Sequence, residues 1–215
     1  CLALGLKEGD LVWTSPNTFV ASANCARYCN SDIDFVDINL HNGLMDIEKL
    51  SNKLKKARTD NRLPKIVIPV HFAGTSCDME SISKLSKEYG FSIIEDASHA
   101  LGGMYHGKAI GSCEFSDFTV FSFHPVKIIT TGEGGMALTN KKEYNSKILQ
   151  LRSHGIVKDH NKYCFNNLGL WYYEQQELGF NYRMTDIQAA LGISQFKKIT
   201  EIVEIRNELL KIYKK

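Results

Sequence analysis

The stretch KIVIPVHFAGTSCDMESISKLSKEYGFSIIED, Lys65 to Asp96, decides the fold. It holds two short apolar runs, KIVIPV (65–70) and FSIIED (91–96). Continuously apolar runs of this length suit strands covered on both faces. Between them Asp78 stands just ahead of MESISKLSKEY (79–89), where its carboxylate can accept from the free N–H groups of a helix start. A strand, a helix and a second strand in this order make a β-α-β unit, whose strands run parallel.

The same alternation extends upstream. LVWT (11–14) reads as a strand and TFVASANCARYC (18–29) as a helix. IDFVDI (33–38) is a strand, and MDIEKLSNKLKKA (45–57) is a helix opened by acidic residues. Downstream, FSDFTVFSF (115–123) and GGMALTN (134–140) read as two more strands with a lysine-bearing loop between them. KEYNSKILQLRSHG (142–155) is a helix ended by Gly155. Residues 156–180 are polar, aromatic and irregular, which predicts a long loop of the kind that usually carries function. TDIQAALGISQFKKI (185–199) is a helix capped by Thr185 or Asp186. The pattern predicts an α/β architecture, a mostly parallel sheet flanked by helices. No internal repeat or low-complexity segment interrupts it.

The ends read as cut. CLALGL (1–6) is an apolar, helix-like run with no capping residue ahead of it, and IVEIRNELLKIYKK (202–215) is an amphipathic helix with no stop signal. The expectation is a chain from the middle of a longer protein.

At 215 residues and 43% hydrophobic, the chain can bury one sizeable core, or one domain and part of a second. Its net charge is +2 with no basic stripe, which argues against a nucleic-acid partner. No apolar run approaches the roughly 18 residues that cross a membrane. The six cysteines, at 1, 25, 29, 77, 113 and 164, form no C-x-x-C pair and read as reduced, mostly buried thiols of a cytoplasmic protein. GGMYHGKA (102–109) mimics half of a nucleoside-triphosphate loop, but Ala109 stands where a hydroxyl must hold magnesium. His99, His106 and Cys113 match no usual zinc spacing, so no metal is expected.

In parallel α/β sheets ligands bind beyond the carboxyl ends of the strands. FSIIED ends in Glu95 and Asp96 and leads to His99, KIVIPV ends at His71, LVWT leads to Phe19, and FTVFSF carries Ser122 toward Lys127. One mouth is therefore predicted to collect Asp96, His99, His71, Phe19, Ser122 and Lys127. A lysine that spends time as a free amine can form a Schiff base with a carbonyl compound. If that carbonyl belongs to pyridoxal phosphate, a strand-end carboxylate has a defined role, which is to keep the pyridine nitrogen protonated. An aromatic ring such as Phe19 would stack on the cofactor.

EDASHALGG (95–103) and FSFHPVKIITTGEGG (121–135), with 31 positions from Asp96 to Lys127 (127 − 96), resemble the sugar aminotransferases of the DegT/DnrJ/EryC1/StrS family. GFNYRMTDIQAALG (179–192) is similar to a third motif of that family. The resemblance covers nearly the whole chain. It implies a type I pyridoxal-phosphate transferase fold, with residues 1–180 as a cofactor-binding large domain lacking its N-terminal part. Residues 181–215 would then be dimer-contact helices leading to a small domain. It implies pyridoxal 5'-phosphate as cofactor, with Lys127 as the lysine that carries it and moves the substrate proton. Asp96 would be the partner of the ring nitrogen, and His99 would lie near the ring hydroxyl. Phe19 would stack on the ring, Ser122 would contact the phosphate, and Asn181 would reach the phosphate of the neighbouring subunit. Partners implied are L-glutamate, a sugar nucleotide and a second copy of the chain in a homodimer. The wording of SPNTFVASANC, HPVK and WYYEQQELGFNYR further resembles members acting on a UDP-linked 4-keto-6-deoxy-N-acetylhexosamine in pseudaminic acid biosynthesis. Two alternatives are another keto sugar linked to dTDP or GDP, and a sugar dehydratase. Such dehydratases carry His in place of the lysine, and Lys127 is present here. The family's hydroxyl-rich phosphate loop would lie ahead of CLALGL.

Overall fold

The structure is a computed structural model describing residues 1–165 and 169–214. The chain opens with a short 3-10 turn, Leu2–Leu4, where the sequence reads as a helix end. Then come β1 (Leu11–Thr14), α1 (Ala21–Arg27), β2 (Asp32–Phe35), α2 (Ile47–Thr59), β3 (Ile66–Ile68), α3 (Met79–Tyr89) and β4 (Ser92–Asp96). A small hairpin, β5 (Met104–Tyr105) and β6 (Lys108–Ala109), precedes β7 (Phe118–Ser122) and β8 (Gly135–Leu138). The chain continues through α4 (Lys142–Leu151), β9 (Ile156–Val157), β10 (Glu174–Gln175), α5 (Asp186–Phe196) and α6 (Ile199–Tyr213).

The main sheet has the order β2-β1-β3-β4-β7-β8. The first five strands are parallel, and β8 runs antiparallel on the edge. The chain moves one way from β1 to β2 and the other way from β3 to β4. With right-handed crossovers, that reversal puts α1 on one face of the sheet and α2 and α3 on the other. Strand side chains alternate between the faces, and the core divides accordingly. Trp13, Val67 and Ile93 pack with Leu50 and Leu54 of α2 and Ile82 of α3. Val12, Ile66, Ile68 and Ile94 pack with Ala26 of α1, and Tyr144 and Ile148 of α4 lie against the same face.

Helix starts follow their caps. Asp46 accepts from Lys49 N at 3.0 Å and Asp78 from Ser81 N at 3.2 Å, and Thr185 forms a capping box with Gln188. Several elements are shorter than the sequence pattern suggests. The helix expected over 18–29 covers Ala21–Arg27, because Pro16 to Thr18 are spent turning out of β1. The strand expected over 33–38 covers Asp32–Phe35, since Val36 onward leaves the ladder. The helix expected over 142–155 ends at Leu151, and Gly155 follows in the left-handed region with φ 71°.

The 156–180 segment, expected to be irregular, contains the β9–β10 hairpin. Its hub is Glu174, whose carboxylate accepts from the N–H groups of Cys164 and Phe165, the Tyr172 hydroxyl and the Gln176 amide. Burial pushes the Glu174 carboxyl up, but these donors outweigh it and hold it down at about 2. Residues 166–168 of this segment lie outside the described ones. Among the described residues no helix is long and apolar enough to cross a membrane, and no group of three or more His, Cys, Asp or Glu is placed to hold a metal ion.

Candidate active site

The carboxyl end of β4 carries Glu95 and Asp96, and strand alternation sends them to opposite faces. Glu95 points to the α3 side. Its Oε2 meets His71 Nε2 at 2.7 Å, and its Oε1 accepts from Thr119 Oγ1 at 3.0 Å and from the Ser116 hydroxyl. Cys77 N–H donates to His71 Nδ1 at 3.2 Å, so the ring proton sits on Nε2 and is donated to Glu95. His71 is 0% exposed. It therefore does not line the mouth, contrary to the expectation from the strand ends: it is a core residue locking β3 to β4. Burial pushes the Glu95 carboxyl up, but the hydrogen bonds from His71, Ser116 and Thr119 hold it below the usual carboxylate range.

Asp96 points to the α1 side. Its Oδ2 accepts from Ser22 Oγ at 2.5 Å, and Thr18 Oγ1 donates to Ser22 Oγ at 3.0 Å. Its Oδ1 accepts from Ser98 N at 3.1 Å. The first turn of α1 thus holds the carboxylate by hydroxyls. No Lys, Arg or His among the described residues forms an ion pair with it. A mostly apolar cavity of about 310 Å³ lies against it, walled by Ser22, Cys25, Ile68, Val120 and Ile148. Burial pushes the Cys25 thiol up.

Lys127 sits in a loop pinched at its base. Phe123 N–H donates to Gly134 O at 2.8 Å, and Phe123 O accepts from Thr131 N at 3.0 Å and Thr130 Oγ1 at 3.0 Å. Lys127 N–H donates to His124 O at 2.9 Å, closing a turn over Pro125. The pinch needs its glycines: a side chain at Gly134, φ 155°, would collide with Thr131 and with Met184 Cε at 2.8 Å. The Lys127 amine forms no ion pair with a carboxylate of the described residues.

The structure does not gather the expected residues into one mouth: His99 and Lys127 line one cavity, Asp96 lines another, and Ser98 borders both. Burial lowers the pKa of His99, the Lys127 ammonium lowers it further, and the Asp96 carboxylate opposes them. The ring is therefore neutral near pH 7. Lys127, Ser98 and His99 share a cavity of about 770 Å³. Phe19 is 73% exposed just beyond β1, and Ser122 Oγ accepts from His124 N at 3.4 Å at the end of β7. Asn181 does not line either cavity. It forms an isolated antiparallel bridge with Ser153, just past the end of α4.

Thr18, Ser22 and Ser98 are not singled out by the sequence pattern. The signal that could have found them is a pair of hydroxyls four apart at the start of the helix after β1, and a third two residues beyond Asp96.

These residues suit pyridoxal phosphate. Lys127 and the neutral His99 line one cavity and Asp96 the cavity adjoining it at Ser98, and neither the amine nor the carboxylate is neutralised by an opposite charge among the described residues. At the neighbouring end of β1 the buried Ser15 hydroxyl has no partner among the described residues.

A family model described as the DegT/DnrJ/EryC1/StrS aminotransferase family matches residues 1–215. The chain belongs to that family, and its fold is the family's aminotransferase fold. It is 46% identical over 213 residues to a UDP-4-amino-4,6-dideoxy-N-acetyl-beta-L-altrosamine transaminase of Campylobacter jejuni, covering 99% of this chain and 52% of that protein. It is 36% identical to a GDP-perosamine synthase of Escherichia coli O157:H7, covering 100% of this chain and 54% of that protein. Among solved structures, Helicobacter pylori PseC, an aminotransferase involved in the biosynthesis of pseudoaminic acid, superposes with a TM-score of 0.77 at 35% identity. That match covers 90% of this chain and 47% of PseC. The chain spans about half the length of the curated relatives it matches.

Proposed function

We propose that this protein is a pyridoxal-phosphate-dependent aminotransferase. It moves the amino group of L-glutamate to C4 of a UDP-linked 4-keto-6-deoxy-N-acetylhexosamine, in pseudaminic acid biosynthesis. The observation that carries this reading is the placing of Lys127 with His99 in one cavity and of Asp96 in the cavity that adjoins it at Ser98, neither charge being in an ion pair among the described residues. When bound, the cofactor supplies an electron sink for the carbanion at the substrate carbon. Lys127 holds the cofactor covalently and carries the proton to and from that carbon. Asp96, fixed by Ser22 and the Ser98 N–H, keeps a proton on the ring nitrogen. His99 bonds the ring hydroxyl as a neutral imidazole. Phe19 stacks on the ring and Ser122 contacts the phosphate. In a homodimer, Asn181 serves the site of the second copy. The UDP-linked acceptor rests on the Campylobacter relative at 46% identity, and the GDP-perosamine synthase at 36% supports a GDP-linked acceptor as second reading. The six free cysteines suit a cytoplasmic setting.

The full-length Lys127→Ala variant tests the assignment. It is expected to lose the visible band of the bound cofactor and at least about 100-fold in amino transfer. Retention of both would sink the reading. Assaying UDP-, GDP- and dTDP-linked 4-keto sugars side by side decides the acceptor.

A further inference from the structure

The entry to α1 carries two hydroxyls four positions apart, on Thr18 and Ser22. Thr18 Oγ1 stands 3.0 Å from Ser22 Oγ, and Ser22 Oγ stands 2.5 Å from Asp96 Oδ2. Ser22 is buried, and its backbone is fixed as well, since its N–H donates to Phe19 O at 3.2 Å. Ser22, Asp96 and Ser98 line the same mostly apolar cavity of about 310 Å³. Thr18 reaches the carboxylate only through Ser22.

The direction of these bonds is forced by chemistry. An ionised carboxylate only accepts, so Ser22 must donate to Asp96. Its single proton is then used, and its oxygen can only accept from Thr18. Both hydroxyl protons therefore point toward the carboxylate. A proton arriving on Asp96 Oδ2 would have to displace the Ser22 proton and reverse the chain. Chains of this kind polarise each member and strengthen the terminal bond. Hydroxyls also orient the carboxylate without neutralising it, as a lysine or arginine in their place would. The titratable groups that sense Asp96 are Cys25, kept as a thiol by burial, and the neutral His99. The cavity wall thus presents an oriented anion whose charge is left for a cationic group.

We infer that Thr18 and Ser22 act as one positioning unit on Asp96: the hydroxyl chain keeps the proton that Asp96 shares with the cofactor's ring nitrogen on that nitrogen. The assignment rests on the aminotransferase reading above. A pyridine nitrogen and a carboxylate can hold one proton in two ways, as a pyridinium beside an anion or as a neutral ring beside a carboxylic acid. A donor fixed on the carboxylate stabilises the first arrangement and not the second. The protonated ring is the better electron sink, so the chain supports the chemistry without touching substrate.

The test uses the full-length protein loaded with pyridoxal phosphate that is isotope-labelled at the ring nitrogen, so that the nitrogen NMR resonance reports its protonation at neutral pH. Ser22→Ala is expected to move that resonance toward the value of unprotonated pyridine and to weaken cofactor binding roughly 10-fold. Thr18→Val should move both in the same direction by less. Because the two hydroxyls work in series, the double variant should go no further than Ser22→Ala. Ser22→Thr, which keeps the hydroxyl, should keep the native resonance. Urea unfolding of the cofactor-free variants measures any purely structural cost. A Ser22→Ala protein that loses stability but keeps the native resonance would overturn the proposal, as would additive effects of the two substitutions. Should Ser22→Ala fail to fold, Thr18→Val at its half-buried position decides alone, and an unchanged resonance there overturns the proposal. A wild-type protein that takes up no pyridoxal phosphate would instead overturn the aminotransferase reading itself.

Discussion

Asp96 shows how one side chain is prepared before any ligand arrives. Two of its acceptor positions are filled by Ser22 and the Ser98 N–H, which fixes the plane of the carboxylate and leaves further lone pairs open. In the proposed enzyme, Asp96→Asn keeps these neighbours and removes the charge. Losing one charge-assisted hydrogen bond is worth about 1.5–3 kcal/mol, so cofactor affinity should fall roughly 10- to 100-fold. Titrating the full-length variant with pyridoxal phosphate measures this, and unchanged affinity would show that the carboxylate does not hold the ring. The positions of Asp96, His99 and Lys127 at or beyond the ends of β4 and β7 are legible in the sequence, because strongly apolar runs precede them. Ser22 is not, because its contact with Asp96 depends on which helix face docks where. His71 misleads for the same reason: a strand-end histidine looks alike whether it faces solvent or a buried glutamate.

Among the elements, the β9–β10 segment is the one a sequence pattern can least anticipate. Backbone amides gathered on a carboxylate leave no periodic trace in composition, so the role of Glu174 emerges only from the fold. The pH consequence follows from the direction of its shift. A carboxyl held at about 2 in the folded chain, against roughly 4.3 when unfolded, contributes order above pH 4.3 that is lost as pH falls toward 2. Glu174→Gln should remove that dependence. Its Cys164 and Phe165 amides should exchange hydrogen faster than in the native chain at neutral pH. Equal exchange in the two proteins would mean that the segment is held by other contacts. The antiparallel direction of β8 is also left open by pattern. An apolar run carries no sign of its direction, although the absence of a helix between Ser122 and Gly135 leaves no crossover for a parallel return.

For the molecule as a whole, the alternation of β and α signals carries most of the architecture, and the division of the core between two faces follows from strand alternation alone. The Glu95–His71 pair ties the two strands' chemistry to stability. Glu95 is held below the usual carboxylate range, so its contribution is complete above about pH 4.3 and disappears as pH falls through its lower folded value. Acid denaturation curves of Glu95→Gln should therefore have a shallower limb than the native protein. His71→Ala leaves Glu95 Oε2 buried without its donor and should cost about 2–5 kcal/mol at neutral pH, measured by urea unfolding. A smaller loss would mean that water replaces the imidazole.

The cavity beside Asp96 also decides which nucleophile an incoming aldehyde meets. Thiolates add to aldehydes readily, and Cys25 is part of that wall. Burial raises the Cys25 thiol, as it does those of Cys29, Cys77 and Cys113, with Cys77 pushed up to about 12. Sulfur held as S–H is a poor competitor. The packing that builds the core thus favours chemoselectivity: a carbonyl compound in the cavity beside Asp96 finds the Cys25 thiol silent, and the Lys127 amine stands in the cavity that adjoins it at Ser98.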